Sequence, residues 1–458
     1  MDNTTHLKLF RLGKILLLMI AYCCPLAGVI LVVQSLSVPY LKDLRQGYLL
    51  AQAMVHGVDP YLPLPELGKL WLPGHAFIGL HHPSPHPFAV GWLCLPLALL
   101  RYEQAAVVWL LFQLGCLALS VVLLLRILGL AWRKPRVVAI SFLMLGWWPL
   151  ILDLWFGQLN LCLLVLFLAA WRVLRRRKDV SGGALLGSLL LLKMAGWPIV
   201  LWLALQRRWR AVWAAGLFWA AAHLLAIGLH GWEMVRDYYL KVGPQVGAIY
   251  HVREINLSAW TIGQRLFNES GQDFVSLPLW KSPLLVKALT ALVPLVVLIL
   301  ALRAAVRLRN FDTAFALLMG IGVVLNPVAW QHYLLLAAPA LALLLRRLHT
   351  LHWPRWMTCG VISLAVAFSL PHSLYVDLAE LFAVGVNAAG KPIVPALPAL
   401  LTFTTSVALC VSLWLLVKLE SGIEAVAPED VAIECGGNRT LRNLSPASQH
   451  KIREAHET

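Results

Sequence analysis

The sequence predicts an all-α polytopic membrane protein, and three observations support this fold class. Of the 458 residues, 60% are hydrophobic and only 13% are charged, whereas about a quarter are charged in an ordinary soluble protein. Apolar stretches of roughly 17–25 residues, long enough to cross a bilayer, recur along almost the whole chain. Short Lys/Arg clusters separate them, as in cytoplasmic loops. The net charge of +16 therefore reflects membrane orientation, and nucleic acid is not an expected partner.

The predicted crossings follow from the apolar runs and the positive-inside rule. They are residues 15–37, 103–126, 136–153, 158–174, 182–206, 209–230, 283–303, 311–327, 332–347, 355–372 and 394–418. Basic residues near both ends of 182–206 favour a helical pair broken near Lys193 and Pro198. Counting that run as two gives about 12 crossings with both termini in the cytoplasm. The run 86–101 is predicted to dip into the membrane and return.

The two ends of the chain give further expectations. Lys8, Arg11 and Lys14 precede the first apolar run, and no small-residue cleavage motif follows, which predicts a retained anchor. The chain is therefore divided into an integral-membrane domain, residues 1–418, and a polar tail, residues 419–458. The tail is mixed in charge and lacks periodicity, so it is predicted to be cytoplasmic and disordered.

Polar segments poor in basic clusters are predicted to face outwards. In the first of them, Tyr48, Gln52 and Val55 recur at helical spacing, so a helical outer loop is expected. Asp43 begins this helix at the membrane edge. It is either an acid that interacts with the helix dipole or a carboxylate with a chemical role. Asp59 directly precedes a proline and is interpreted as a turn former.

A lysine and an amide-rich turn are the next candidates. Lys193 lies far from both polar ends of its apolar run, and a lysine at mid-bilayer costs roughly 2.5–3.5 kcal/mol on insertion scales. An anion should accompany it, either an acid such as Asp153 or a lipid phosphate. Asp153, Gln158 and Asn160 lie where one crossing ends and the next begins. The amides there either cap helices or hydrogen-bond to sugar hydroxyls.

Two later outer segments carry similar polar residues. One of them, near residues 326–332, contains Asn326 and His332. His332 is either an interfacial residue or a residue that binds a phosphate or carries a proton. The end of the second large loop contains Asn256, Ser258 and Arg265. These residues either form a polar lip, in which the arginine pairs with phosphate oxygens, or cap an ordinary re-entry helix.

The sequence gives little support for a metal site. His81, His82 and His86 stand close together in the proline-rich run HHPSPHP, but no acid or cysteine beside them completes a ligand set. The eight cysteines show neither a CxxC pair nor metal spacing, and their predicted role is packing. We therefore expect no metal and no cofactor.

Five motifs occur in order between about residues 40 and 340. Their residues are Asp43, Tyr48, Ala51, Gly57, Pro60 and Tyr61; Gly157, Gln158 and Asn160; Lys193, Pro198, Arg207 and Arg208; Asn256, Ser258 and Arg265; and Asn326, Pro327, Trp330, His332 and Tyr333. Together they resemble glycosyltransferase family 87, the mannosyltransferase-like membrane proteins of the GT-C superfamily that use polyprenyl-phosphate sugars. The run HHPSPHP departs from the Tyr-Pro-type stretch of that pattern.

The resemblance implies a GT-C-type helical bundle with a helical first periplasmic loop, in the bacterial inner membrane. It also implies inverting transfer of a hexose, mannose in the first place, from a polyprenyl-phosphate donor to a glycolipid or envelope glycan outside. Asp43 takes the role of catalytic base, and His332, Lys193 and Arg265 that of donor-phosphate ligands. The implied sugar and acceptor contacts are Tyr48, Asp59, Tyr61, Gln158, Asn160, Asn256, Ser258 and Asn326.

Two other classes of protein stay open. An envelope polysaccharide polymerase or ligase relies on paired arginines in its outer loops, and Arg236, Arg253 and Arg265 occur in the second large loop. A lipid-linked sugar transporter or flippase has polar residues at helix breaks near the midplane. Lys193 and Pro198 are the features that favour transport.

Overall fold

The structure, a computed structural model, describes residues 41–75, 77, 80–131, 147–350 and 355–426. The predicted first crossing, most of the crossing at 136–153 and the end of the tail lie outside these residues. Within them the chain is mostly helical, as the sequence predicts.

We call the segments predicted to face outwards the outer loops, and the first of them is helical, as predicted. It contains α1 (Lys42–Val55) and α2 (Leu64–Trp71), followed by α3 (Phe88–Ala98) and the long α4 (Tyr102–Leu128). The run predicted to dip and return forms the 11-residue α3, which packs against α1. Gly91 permits this close approach, since a Cβ there would lie 2.4 Å from Met54 Sδ.

Two interrupted helix pairs follow. The first consists of α5 (Trp148–Phe156) and α6 (Asn160–Arg175), whose axes are bent by 117°. The second consists of α7 (Asp179–Lys193) and α8 (Trp197–Leu205). The break falls directly after Lys193, where Met194 and Gly196 have φ values of 48° and 84°. The predicted broken pair near Lys193 and Pro198 is confirmed.

The remaining elements complete the bundle and its outer loops. In order they are α9 (Trp209–His230), α10 (Trp232–Asp237), a π-helical turn (Tyr238–Val242), α11 (Gly243–His251), a 3-10 turn (Ala259–Thr261), α12 (Ile262–Phe267), α13 (Pro283–Arg307), α14 (Phe311–Val324), a 3-10 helix (Gln331–Ala337), α15 (Ala338–Thr350), α16 (Arg355–Ser369), α17 (His372–Glu380), α18 (Ala396–Ala399), a 3-10 turn (Leu400–Phe403) and α19 (Thr404–Val426). The predicted domain boundary at residue 418 falls inside α19, because the helix continues past the last apolar run.

The described residues contain four segments long and apolar enough to cross a membrane: α4, α9, α13 and Ala396–Ile423. The bent pair α5–α6 raises the number to five if it counts as one span. The predicted bundle of about 12 crossings is therefore not confirmed. Several predicted crossings are shorter than a bilayer requires because breaks, as after Lys193, divide them.

A small sheet, which the sequence analysis did not predict, joins two outer loops. Its strands are β1 (Val275–Leu277), β2 (Gly385–Val386) and β3 (Pro392–Pro395), in the order β1-β3-β2. β3 pairs in parallel with β1 and antiparallel with β2. Strands this short are missed because alternation over four or more residues is needed to recognise a strand.

The interior divides into two main groups of buried side chains. One group packs α6, α8, α14, α15 and α19 around Trp171 and Phe315, whose ring centroids are 5.1 Å apart. The other group packs α1, α2 and α3. The candidate site described next lies where the two groups meet, at the start of α1 and the bend between α5 and α6.

Candidate active site

Asp43, in the first turn of α1, has two amide partners. One carboxylate oxygen accepts a 2.6 Å hydrogen bond from Gln46 Nε2, and the other accepts from Gln158 Nε2. Burial raises the pKa of Asp43, while the charges of Lys42 and Lys193 and the two amide hydrogen bonds act in the opposite direction. Burial outweighs these effects, so Asp43 is a stronger base than an aspartate in water.

Gln158 connects this acid to a cation. Its Oε1 accepts a 3.2 Å hydrogen bond from Lys193 Nζ. An ammonium group only donates and a carboxylate only accepts, so the amide has one orientation that satisfies both neighbours. Lys193 Nζ also lies 4.0 Å from the centre of the Tyr333 ring. Four predicted motifs thus meet through Asp43, Gln158, Lys193 and Tyr333.

Local backbone geometry explains why α1 meets the bend. Gly157 has φ 69°, a left-handed conformation that favours glycine. A Cβ at this position would lie 3.0 Å from both Leu41 Cδ2 and Leu44 Cβ. Leu41 N donates to Trp155 O at 2.8 Å, and Trp109 Nε1 donates to Gly157 O at 2.9 Å. The bend is therefore held against α1 from both sides.

Several buried polar atoms behind this cluster have no partner in the described part of the chain. Asp153 Oδ1 accepts a 2.7 Å hydrogen bond from Asn160 Nδ2, but Asp153 Oδ2 and Asn160 Oδ1 are unpartnered. His332 Nε2 is likewise buried and unpartnered, with its ring centroid 6.0 Å from that of Phe156. Lys193 hydrogen-bonds to Gln158 and forms no close ion pair with Asp153, one of its two predicted partners, but the opposite charges of Lys193 and Asp153 do interact electrostatically.

A second group of polar side chains flanks Asp43, and the sequence analysis did not assign it to the site. Tyr250 Oη lies 2.6 Å from His82 Nε2, and the Arg253 guanidinium lies 5.1 Å from the Tyr250 ring centre. Arg253 Nε is buried without a partner in the described residues. Burial lowers the pKa of Lys42, and the charges of Asp43 and Arg253 also act on it. Lys42 and Arg253 therefore form a cationic flank beside the acid.

The histidine-rich run HHPSPHP, for which the sequence predicts no metal, contacts other parts of the protein. His82 Nδ1 lies 2.6 Å from Pro83 O, so this ring contacts Pro83 and Tyr250 through its two nitrogens. Burial lowers the pKa of His82 and lowers that of His86 to about 3. In the described residues no group of three or more His, Cys, Asp or Glu side chains is arranged to hold a metal ion.

Arg265, a predicted phosphate ligand, is instead surrounded by protein acceptors. Its guanidinium donates to the carbonyl oxygens of Arg253, Glu254 and Asn256 at 3.1, 2.7 and 2.6 Å. It also donates to the Thr402 hydroxyl. These contacts fix the shape of the second outer loop. A phosphate would have to displace several of them.

Asn256 is similarly engaged with the backbone. Its Nδ2 donates to Tyr250 O and Pro327 O, both at 3.2 Å. Its Oδ1 accepts from the amides of Ser258 and Ala329 at 3.1 and 3.0 Å. Two donors and two acceptor lone pairs are thus satisfied, and the side chain ties the second outer loop to the Asn-Pro turn.

The other predicted polar contacts also support local structure. Ser258 caps a 3-10 turn by accepting from Trp260 N, and Asn326 accepts from Val328 N at 3.3 Å. Tyr48 donates to Leu100 O at 2.9 Å. These three contacts lie within or between outer-loop elements.

Asp59 forms the turn that the sequence predicts. Its carboxylate accepts a 2.9 Å hydrogen bond from Tyr61 N. The Tyr61 hydroxyl in turn donates to His86 O at 3.3 Å. Asp59 therefore positions the loop that leads towards the start of α3.

Two cavities lie near the first outer loop. The one beside Asp43 has a volume of about 10 Å³, close to the space one water needs; Gly47, His86, Trp109 and Gln158 are among its lining residues. The other, about 620 Å³, lies against α2. In this arrangement, a sugar can reach Asp43 only if neighbouring side chains move.

The comparisons with known proteins bear on this geometry. A protein-family model for glycosyltransferase family 87 matches residues 86–329, which is more than half of the 458-residue chain. No curated protein matches, and no solved structure matches. The matched region includes Gln158, Lys193 and Arg253, whereas Asp43 and His332 lie outside it. The chain belongs to glycosyltransferase family 87 and is a membrane glycosyltransferase.

Proposed function

We propose that this glycosyltransferase moves a hexose, with mannose as the first candidate, from a polyprenyl-phosphate donor to a lipid-linked or cell-envelope acceptor. The reaction takes place at the outer face of the bacterial inner membrane, with both termini in the cytoplasm. The observation that carries the proposal is the meeting of Asp43, Gln158 and Lys193, which joins a base of raised pKa to a cation through one amide.

In the proposed reaction Asp43 removes the proton from the acceptor hydroxyl. The acceptor oxygen forms a bond to the anomeric carbon from the face opposite the phosphate, and the bond from that carbon to the phosphate oxygen breaks. The configuration inverts, and lipid phosphate leaves with the bonding electron pair. Positioned general bases of this kind contribute roughly 10²–10⁴-fold to rates. The step requires no metal, because cationic side chains can stabilise a single phosphate.

The proposed ligands of the phosphate are Lys193 and His332, which the sequence predicts, together with Lys42 and Arg253. Arg253 replaces Arg265 as the arginine candidate because its guanidinium makes no hydrogen bond in the described residues, whereas that of Arg265, although its Nε is also unpartnered, donates to four acceptors. A guanidinium suits phosphate oxygens because it offers several donors in a fixed plane.

The proposed sugar contacts are the polar atoms that keep free hydrogen-bonding capacity. Asn160 Oδ1 and Asp153 Oδ2 have no partner in the described residues, so they are available to sugar hydroxyls. Gln158 is already engaged at both ends of its amide. It therefore positions the base, and it contacts substrate only if one of those bonds opens.

The proposal is tested with purified protein in lipid vesicles and a radiolabelled polyprenyl-phosphate mannose. Label should move to glycolipid acceptors from a bacterial envelope, and Asp43→Asn should lower the rate by roughly 10²–10⁴-fold. Asp59→Asn is the matched control, since an asparagine there can still accept from Tyr61 N. Full activity in Asp43→Asn would refute the assignment of the base.

The same assay separates a second candidate function. The helix break at Met194–Gly196, next to Lys193, resembles the interrupted helices of transporters. A transporter or flippase would carry labelled donor across the vesicle membrane without forming a glycosidic bond. A polymerase or ligase would yield a ladder of products or a transferred polymer. The proposed enzyme adds sugar to the acceptor in a single step.

A further inference from the structure

The strands of the small outer sheet have a defined direction relative to the membrane. β1 and β3 are parallel, with Ser276 paired to Val394 and Leu277 to Pro395. Each leads into a membrane-spanning segment: α13 begins at Pro283, and the span Ala396–Ile423 begins directly after β3. The carboxyl ends of both strands therefore point to the membrane. β2 is antiparallel to β3, so the amino end of β2 lies at the same level.

Large apolar side chains are exposed at this membrane-facing end. Trp280 follows β1 and is 57% exposed, while Phe382 precedes β2 and is 56% exposed. Val384 N donates to Ile393 O at 2.9 Å, which fixes Val384, also exposed, beside the carboxyl end of β3. Leu397, the second residue of the following span, is 64% exposed. Exposed apolar residues therefore come from all three chain segments of the sheet.

The opposite end of the sheet is mainly polar, although Val386 at the end of β2 is 68% exposed. Asn387 caps the tight turn between β2 and β3, accepting from the amides of Ala389 and Lys391 at 3.0 and 2.9 Å. Lys391 Nζ donates to Gln272 O at 2.7 Å, just before β1. Asp273 is exposed beside it. Polarity thus increases along the strands with distance from the spans.

We propose that the sheet is an anchor whose apolar end, formed by Trp280, Phe382, Val384 and Leu397, is inserted into the interfacial region of the lipid bilayer. Continuity with the spans identifies lipid as the occupant, because exposed Leu284 in the first turn of α13 extends the same surface. Without lipid these apolar side chains would be exposed to water, which is unfavourable.

The chemistry at that level fits a membrane interface. Tryptophan is enriched where headgroups meet hydrocarbon, and Trp280 stands directly before the span. Lys281 and Glu269 form an exposed 2.8 Å ion pair beside it. Such a pair is compatible with the headgroup layer, whereas its burial in hydrocarbon would be costly. The surface is therefore expected to lie at the boundary and not in the bilayer core.

The anchor has a direct mechanical link to the candidate active site. The Glu254 carboxylate accepts hydrogen bonds from the amides of Gln272, Asp273 and Phe274, just before β1. Arg253, on the cationic flank of Asp43, is the preceding residue. Binding of the sheet to lipid therefore fixes the distance between the cationic flank and the membrane. The anchor itself does not depend on the identity of the donor or acceptor.

The test is a measurement of depth by spin-label accessibility in vesicles. Nitroxides are placed at Phe382→Cys and, as the matched control in the same hairpin, at Ala389→Cys, with the eight native cysteines replaced by alanine. The label at 382 should collide more often with oxygen than with a water-soluble nickel chelate, and the label at 389 should show the reverse. The depth parameter should therefore change sign between the two positions.

Two results would overturn the anchor. Equal nickel accessibility at 382 and 389 would mean that water covers both positions. Protection of 382 from both reagents would mean that protein covers it. If the cysteine-free chain does not fold, Trp280→Phe in the native chain provides a second measurement. Brominated lipids should quench the tryptophan fluorescence of the wild-type protein by a larger fraction than the tryptophan fluorescence of the Trp280→Phe variant. Equal quenching of the two proteins would refute the proposal.

Discussion

The acid–lysine cluster (Asp43, Gln158 and Lys193) and the Arg265 loop (residues 254–267) are both polar regions beside the membrane, but their hydrogen bonding differs. In the cluster, side chains bond to other side chains, and unpartnered buried atoms lie behind them. In the Arg265 loop, side chains bond mainly to backbone carbonyls and amides. The first region keeps capacity for a ligand, whereas the second uses most of its capacity to hold its own shape.

The difference shows that polarity at one face of a bundle does not by itself identify a binding site. A buried donor bonded to three carbonyls stabilises a loop, because each unmet carbonyl would cost about 1–3 kcal/mol. A buried polar atom without a partner is a better candidate for a ligand contact. The following substitutions test whether changes near the cluster alter catalysis or donor binding and changes in the Arg265 loop alter stability, as this view requires.

The largest effect is expected for Arg265→Met. Loss of its bonds to Arg253 O, Glu254 O and Asn256 O leaves buried acceptors unmet, at about 3 kcal/mol or more in total. The midpoint of thermal unfolding in detergent should fall clearly. Arg236→Met is the control, because Arg236 pairs with Asp237 at the surface. A stable Arg265→Met protein with impaired donor binding would return Arg265 to the phosphate site.

Arg253→Met should impair donor binding while stability is retained. A charge-assisted hydrogen bond is worth about 1.5–3 kcal/mol, so KM for the lipid-phosphate donor should rise roughly 10–100-fold. Lys281→Met removes an exposed cation paired only with Glu269 among the described residues and should leave KM unchanged. If Arg253→Met leaves KM at the wild-type value, the cationic flank does not bind phosphate.

Gln158→Leu should change the pH dependence of transfer. The reaction needs ionised Asp43, so the rate rises as pH increases through the pKa of that acid. Burial raises the pKa, and the Gln158 hydrogen bond lowers it. The variant should therefore shift the acidic limb of the pH profile towards higher pH, because it removes a hydrogen bond that lowers the pKa of Asp43. Gln52→Leu, which alters a buried amide bonded to Tyr48, should leave the limb in place.

Ser258→Ala should have the smallest effect. The serine caps a short 3-10 turn through Trp260 N, and loss of such a cap costs about 1 kcal/mol. Thermal unfolding should shift by a few degrees, and the donor KM should not change. A selective rise in KM would instead support the sugar-contact role that the motif resemblance implies for Ser258.

Much of the helical architecture follows from apolar patterning. The crossing predicted at 209–230 has the same bounds as α9, because an unbroken apolar run between basic residues has few alternative folds. The small sheet was not predicted, and neither was the shortening of crossings by breaks other than the one after Lys193. Both arise from tertiary contacts and backbone turns that leave little periodic signal in a single sequence.

The site was predicted where unusual residues interrupt apolar runs, as for Asp43 and Lys193. Their connection through Gln158 was not predicted, since Gln158 was interpreted as a sugar contact. Gln46 was missed although it lies one helical turn from Asp43, at the i,i+3 spacing that brings side chains together. The role of Arg265 was even harder to predict from the sequence. Its acceptors are mainly backbone carbonyls, and every residue supplies a carbonyl whatever its side chain.

The separation of Asp43 and Gln158 by 115 positions has a consequence for biosynthesis. At about 5–20 residues per second, the ribosome needs roughly 6 to 23 seconds to add Gln158 after Asp43. During this interval the nascent chain carries the acid without the amide that orients it and without Lys193. A truncated chain that ends before the bend would insert its first helices and still lack a functional base. The orientation of the Asp43 carboxylate is therefore completed late, when the bend between α5 and α6 and the end of α7 pack beside α1.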